Sequence, residues 1–299
     1  MTQIRLRVIR FFAKISLKFG KGFFLSSRFI QTSRKIADKA LENSLPNDEI
    51  YEIQGFKIKR GKSMRYLILA EEYEPAETDL IKKYVKSGMI VFDLGANIGW
   101  FTMILSKLVG NSGHVYSFEP DPDYFQTLKE NVQLNHLTNV SLFQMGVSNT
   151  SGVGNFSLNK EFGTLVIDSK QKKDSLQIEI TTLDDFCKKN QIKIDFIKID
   201  VEGSEILVFD GMKESVKNNP GMKFITEFHP NAIRGVGFSP ESFFEKIRQM
   251  EFKIIICAVG LRTNHYTTDG EIKEIDVQKL LKLEGITGSA SLFCYKTLP

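Results

Sequence analysis

From Met89 onward the apolar positions fall into short blocks that switch between two periods. Near-continuous apolar runs of four to seven residues predict buried strands at Met89–Leu94, His114–Phe118, Val140–Met145, Ile194–Asp200, Lys223–Phe228, Lys253–Ala258 and Ala290–Tyr295. Between them, apolar residues recur at helical spacing over Trp100–Val109, Pro122–Asn135, Leu183–Lys189, Ser204–Met212, Pro240–Met250 and Val277–Leu283. A Gly/Ser/Asn-rich stretch, Asn149–Ile180, breaks the alternation and reads as hairpins. Strands that are apolar on both sides, alternating with amphipathic helices, call for a doubly wound, mostly parallel α/β sheet covered on both faces.

Upstream the pattern differs. Residues 46–88 form a lead-in with short strands around Tyr51–Lys59 and Tyr66–Ala70, then a helix ending near Ser87. Residues 1–45 read as a basic, helix-prone arm: Ile4, Val8, Phe11, Ile15 and Phe19 fall on one face and Arg7, Arg10, Lys14, Lys18 and Lys21 on another. Charge sharpens this division. The 299 residues carry a net charge of +4, yet residues 1–44 alone hold ten Lys/Arg against Asp38 and Glu42, which leaves the body net negative. The arm therefore either lies on an anionic membrane surface as a peripheral contact or docks its apolar face on the body.

A composition of 42% hydrophobic and 25% charged residues excludes disordered and collagen-like classes. No uninterrupted apolar stretch is long enough for a membrane span or a secretory signal. Three cysteines, Cys187, Cys257 and Cys294, form no CxxC pair, which favours a reducing, cytoplasmic compartment, with the arm at its inner membrane face.

The sharpest motif is Asp93-Leu-Gly95-Ala96-Asn97-Ile-Gly99, where an apolar strand ends on an acid and turns through two glycines into a helix. Glycine lets backbone approach a ligand, and a helix N-terminus offers N–H groups. A dinucleotide fingerprint needs G-x-G-x-x-G, but Asn97 stands at the middle glycine, and Asp93 suits a ligand ammonium better than a pyrophosphate. The next predicted strand ends in Glu119, placed to grip a ribose diol. Asp93, Gly95, Ala96, Asn97, Gly99 and Glu119 are thus the expected cofactor contacts, for an adenosine-containing cofactor.

These segments resemble a known family. Asp93–Gly99, Phe118-Glu-Pro120, Leu128-Lys-Glu-Asn131, Ile197-Lys-Ile-Asp-Val-Glu-Gly203, Glu205, Gly211-Met212 and Glu227-Phe-His-Pro230 look like the FkbM-type S-adenosylmethionine-dependent methyltransferases, over about residues 85–230. The resemblance implies a Rossmann-like class I methyltransferase fold over residues 89–299, with a seven-stranded sheet and an antiparallel last strand pair. It further implies S-adenosylmethionine as cofactor and O-methylation of a small molecule, glycan, lipid-linked sugar or secondary metabolite. Where the family usually has an Asp, this chain has Asn149.

In an open parallel sheet, ligands sit beyond the carboxyl ends of the strands. Asp200 and Glu202 lie at one such end and Glu227 and His229 at the next, a set able to act as general base or to orient an acceptor hydroxyl; Asp200 also borders the cofactor side. Their spacing is not diagnostic of a metal site, and no metal is expected. His114, His136 and His265 receive no role, while Lys160–Leu165 and Asn231–Gly237 read as mobile lips. Rival readings are a nicotinamide-dependent oxidoreductase and a non-catalytic, membrane-peripheral protein. A nucleic-acid partner is not expected, because the body is acidic and Asp-Val-Glu-Gly stands where a base-flipping segment would.

Overall fold

The computed structural model describes residues 49–61, 67, 71, 73–158, 163–166, 175–259, 273–283 and 288–296. The arm, most of the predicted strand at 66–70 and residues 160–162 of one predicted lip lie outside them. Contacts divide the chain into two units, 1–73 and 74–299. The described part of the first is an antiparallel hairpin, β1 (Ile50–Ile53) and β2 (Phe56–Lys59).

The second unit holds helices α1 (Pro75–Tyr84), α2 (Trp100–Val109), α3 (Pro122–Leu134), α4 (Leu183–Asn190), α5 (Glu205–Asp210), α6 (Lys213–Asn218), α7 (Pro230–Val236), α8 (Pro240–Gln249) and α9 (Glu274–Leu280). Its strands are β3 (Ile90–Leu94), β4 (His114–Phe118), β5 (Val140–Phe143), β6 (Gly146–Val147), β7 (Gly152–Leu158), β8 (Gly163–Val166), β9 (Ser175–Thr181), β10 (Phe196–Ile199), β11 (Lys223–Phe228), β12 (Lys253–Val259) and β13 (Ala290–Tyr295).

Seven strands form one sheet in the order β12-β13-β11-β10-β3-β4-β5. The pairs from β11 to β5 are all parallel, and β13 inserts antiparallel between β11 and β12. This is the expected doubly wound sheet with its antiparallel last pair. The hairpins expected in 149–180 assemble with β6 into a second sheet, β6-β9-β7-β8.

Burial follows the apolar runs. All four residues of β10 are buried, as are Val91–Leu94 of β3, because helices cover both faces. Phe92, Phe118, Phe143 and Phe186 form one contiguous aromatic cluster beneath β3, β4 and β5. Such rings fill the space between sheet and helix and fix the strand ends that carry the polar residues.

Two local expectations need correction. Residues 230–236 are helix α7 rather than a mobile lip: Pro230 at its first turn and His229 at its N-cap are helix-start signals. The segment 204–212 ends at Asp210, and a separate short helix, α6, follows. Among the described residues, no helix is long and apolar enough to cross a membrane.

Candidate functional site

Strand β3 lies between β4 and β10, which is where the order of the parallel sheet reverses and a crevice opens beyond the carboxyl ends of the strands. The turn leaving β3 is built from left-handed backbone: Gly95, Asn97 and Gly99 have φ of 78°, 51° and 90°. Glycine is required at its two ends by the protein itself. A Cβ on Gly95 would stand 1.8 Å from the Asp200 carbonyl oxygen, and one on Gly99 would stand 2.6 Å from Leu128 Cδ1. Gly95 thus packs the turn on the residue that follows β10, and Gly99 packs it on α3.

The N–H groups of the turn are also spoken for. Gly95 and Ala96 both donate to the Phe118 carbonyl (2.9 and 3.0 Å), and Gly99 donates to the Ala96 carbonyl at 2.9 Å. Asn97 donates to Glu119 Oε2 at 2.8 Å, and Ile98 donates to Asn97 Oδ1 at 2.8 Å. Each N–H of residues 95–99 is thus already bonded within the protein. Asn131 donates to the Ile98 carbonyl at 2.7 Å, so the Leu128–Asn131 segment locks the turn from α3.

Glu119 is 5% exposed. Its Oε2 accepts from Asn97 and its Oε1 from the Asp121 N–H at 2.8 Å, so both oxygens are oriented and each keeps accepting capacity. Burial pushes its carboxyl up to about 8, against the pull of those two N–H groups. A bidentate acceptor held this way at the tip of β4 fits the vicinal hydroxyls of a ribose.

Asp93 is fully buried, not open to the crevice. Its Oδ2 accepts from the Thr102 hydroxyl at 2.6 Å, while Oδ1 has no hydrogen-bond partner. Burial raises its carboxyl, with the Lys198 charge opposing.

At the end of β10, Asp200 Oδ2 pairs with Lys198 Nζ at 2.9 Å; their side chains are 23% and 3% exposed. Glu202 sits in left-handed backbone (φ 53°) in the turn that follows. Burial, then the charges of Asp200 and Glu227, raise its carboxyl. Glu205 Oε1 accepts from the Val201 and Gly203 N–H groups at 3.2 and 3.3 Å, holding the turn that leads into α5. Burial pushes Glu205 up to about 7, opposed by backbone N–H bonds and reinforced by Asp200. On β11, burial and the Asp200 charge push the half-buried Glu227 up to about 8, against a hydrogen bond from Ser289.

His229 has a different place. Its Nδ1 accepts from the Ala232 N–H at 3.1 Å, capping α7. In that state the neutral ring carries its proton on Nε2 and presents a donor, not a base. The charges of Asp200, Glu202 and Glu227 thus influence one another at the ends of β10 and β11, and His229 caps α7. Among the described residues, no group of three or more His, Cys, Asp or Glu is arranged to hold a metal ion.

Sequence reasoning did not single out Lys198, Glu74 or Glu77 as site residues. Glu77 accepts from the Ser291 hydroxyl and is 4% exposed, although its segment reads as an acidic surface run. A lysine two residues before Asp200 on a buried strand was the available signal.

Sheet order and the turn at its switch point are those of a Rossmann-like class I methyltransferase fold. The sequence matches the methyltransferase FkbM domain over residues 93–254, more than half of the chain, and the chain belongs to that family. Its cofactor is S-adenosylmethionine. A second match, to protein-L-isoaspartate(D-aspartate) O-methyltransferase, covers residues 22–153. Among relatives, the chain is 29% identical over 175 residues to the hexuronic acid methyltransferase AglP of Haloferax volcanii, covering 57% of this chain and 63% of that one. It is 27% identical over 146 residues to Methyltransferase 1 of Beauveria bassiana, covering 42% and 58%. It is 34% identical over 119 residues to a protein-L-isoaspartate O-methyltransferase of Methanothrix thermoacetophila, covering 40% and 54%. The chain thus spans less than two thirds of the length of each of these three relatives.

Proposed function

We propose that the protein is an S-adenosylmethionine-dependent O-methyltransferase acting on a hydroxyl of a glycan, a lipid-linked sugar or a secondary metabolite. The observation that carries this reading is the arrangement at the strand tips. Glu119 is oriented by two backbone N–H groups on one side of the switch point, and Asp200 stands on the other, among Glu202 and Glu227. The hexuronic acid methyltransferase relative supports a sugar as acceptor.

When bound, S-adenosylmethionine supplies an electrophilic methyl group on a sulfonium. Glu119 holds the ribose hydroxyls, and the turn Gly95-Ala96-Asn97-Ile98-Gly99 borders the methionine portion. Asp93, buried beneath that turn, offers the cofactor cation its charge rather than an open contact. Asp200 is the base: its carboxylate accepts the hydrogen bond of the acceptor hydroxyl and takes the proton as the oxygen–carbon bond forms. That oxygen becomes strongly acidic as it alkylates, so a carboxylate suffices. Glu202 and Glu227 orient the acceptor. His229, with Nδ1 committed to Ala232, positions the start of α7 beside them.

The alternative of a nicotinamide-dependent oxidoreductase is disfavoured by the committed N–H groups of the turn. Thermal-shift measurements with S-adenosylmethionine, S-adenosylhomocysteine and NAD separate the two. Stabilisation by the first pair and not by NAD supports the proposal; stabilisation by NAD alone overturns it. Residues 1–44 as a peripheral membrane contact, and a cytoplasmic place at the inner membrane face, remain part of the proposal. Flotation on anionic vesicles, lost on deleting 1–44, tests them.

A further inference from the structure

Lys198 lies on β10, between β11 and β3 near the middle of the sheet, and is 2% exposed. An ammonium there loses its hydration and is retained only where charges and hydrogen bonds replace it. Residues 198 and 200 project to the same side of the strand, so the lysine arm runs forward to the strand end. Its Nζ reaches Asp200 Oδ2 at 2.9 Å and lies 4.7 Å from the centre of the Phe101 ring of α2.

The register of β10 on β3 pairs Lys198 with Asp93, and the charges of Glu77 in α1 and Glu74 at its N-cap also act on the lysine. Burial works against the lysine charge, but Asp200, Asp93, Glu77 and Glu74 outweigh it and raise the ammonium well above its ordinary range. Asp93 and Glu77 are buried, Glu74 and Asp200 are partly buried, and Asp200, its side chain 23% exposed, stands just past the carboxyl end of β10.

We propose that Lys198 is a positioning residue for methyl transfer: from within the sheet it holds the Asp200 carboxylate toward the acceptor. The Phe101 ring seats the lysine head from α2, and the charge of Asp93, paired with Lys198 in the β3–β10 register, favours the ammonium without a direct bond to it. This inference rests on the reading of Asp200 as the acceptor-side base.

The test is a double-mutant cycle on the full chain, with Lys198→Met, Lys198→Arg, Asp200→Asn and Lys198→Met/Asp200→Asn. The donor is labelled S-adenosylmethionine, the acceptor a cell-envelope glycan and lipid extract, and S-adenosylhomocysteine affinity is measured beside the rates. For Lys198→Met the expected result is a fall in kcat of about 100-fold, with S-adenosylhomocysteine affinity within about threefold of wild type. Lys198→Arg recovers most of the rate, and Lys198→Met adds little to Asp200→Asn, because both act through one carboxylate. A Lys198→Met protein that folds and keeps its rate while Asp200→Asn loses it overturns the inference and leaves the reading of Asp200 intact. Multiplying losses in the double variant do the same. If Asp200→Asn keeps full activity, or the wild type labels no fraction, the reading itself fails and the inference with it. Should Lys198→Met not fold, Lys198→Gln replaces it, with the same outcomes.

Discussion

The backbone N–H of Asn97 donates to Glu119 Oε2 at 2.8 Å, tying the turn after β3 to the tip of β4. This bond joins the two motifs that the sequence placed in register, and it fixes one oxygen of the carboxylate that we propose holds the ribose. Replacing Glu119 with Ala removes both acceptors, and each lost charge-assisted bond costs roughly 1.5–3 kcal/mol. S-adenosylhomocysteine affinity should therefore fall at least about tenfold by calorimetry. Because burial pushes this carboxyl up to about 8, cofactor affinity should also rise as pH is raised toward 8 and level off above it. A flat profile would show that the protonated acid serves equally well.

Stability of the cofactor-free chain should run the other way. Glu119 and Glu227 are pushed up from 4.5 to about 8 in the fold, so the folded state holds protons that the unfolded chain releases. Stability is then greatest below pH 4.5 with respect to these groups, falls as pH rises to 8, and flattens above. Denaturant unfolding across that range checks the sign, and Glu119→Gln with Glu227→Gln should reduce the slope.

Gly95→Ala should be severe. The new Cβ would meet the Asp200 carbonyl at 1.8 Å, at a backbone φ of 78°. The expected loss of stability is at least about 2 kcal/mol by denaturant unfolding. Gly221→Ala is the control: nothing lies within 4 Å of its Cβ, and the change should stay within about 0.5 kcal/mol.

His229→Ala removes the N-cap of α7 and should cost about 1 kcal/mol of stability, which His229→Asn restores. Turnover should stay within about tenfold of wild type, whereas Asp200→Asn should lose about 100-fold or more. Equal losses in the two would return His229 to the role of base.

The alternation of apolar blocks made the sheet and most of its helices legible, because strands covered on both faces leave an unambiguous pattern. Asp93-Leu-Gly-Ala-Asn-Ile-Gly99 and Glu119 were legible as partners, since strand-end position alone places them side by side. What each glycine touches was not: Gly95 owes its identity to the Asp200 carbonyl, a contact between distant parts of the chain. Glu77 was hidden for a similar reason. An acid in a run of acids reads as solvated, and its burial against Ser291 and Lys198 depends on how α1 meets β10 and β13. His229 read as one candidate base beside Asp200 because its place at a strand end was visible, whereas its bond to the Ala232 N–H appears only once α7 has formed.

Methyl transfer to a hydroxyl is the central claim, and mass spectrometry of the acceptor tests it most directly. The full chain is incubated with methyl-labelled S-adenosylmethionine and the glycan and lipid extract, and the products are hydrolysed to monomers. The account predicts a labelled O-methyl ether on one component, absent from the Asp200→Asn reaction. Label found on nitrogen or carbon, or on no component while S-adenosylmethionine binds, would contradict it.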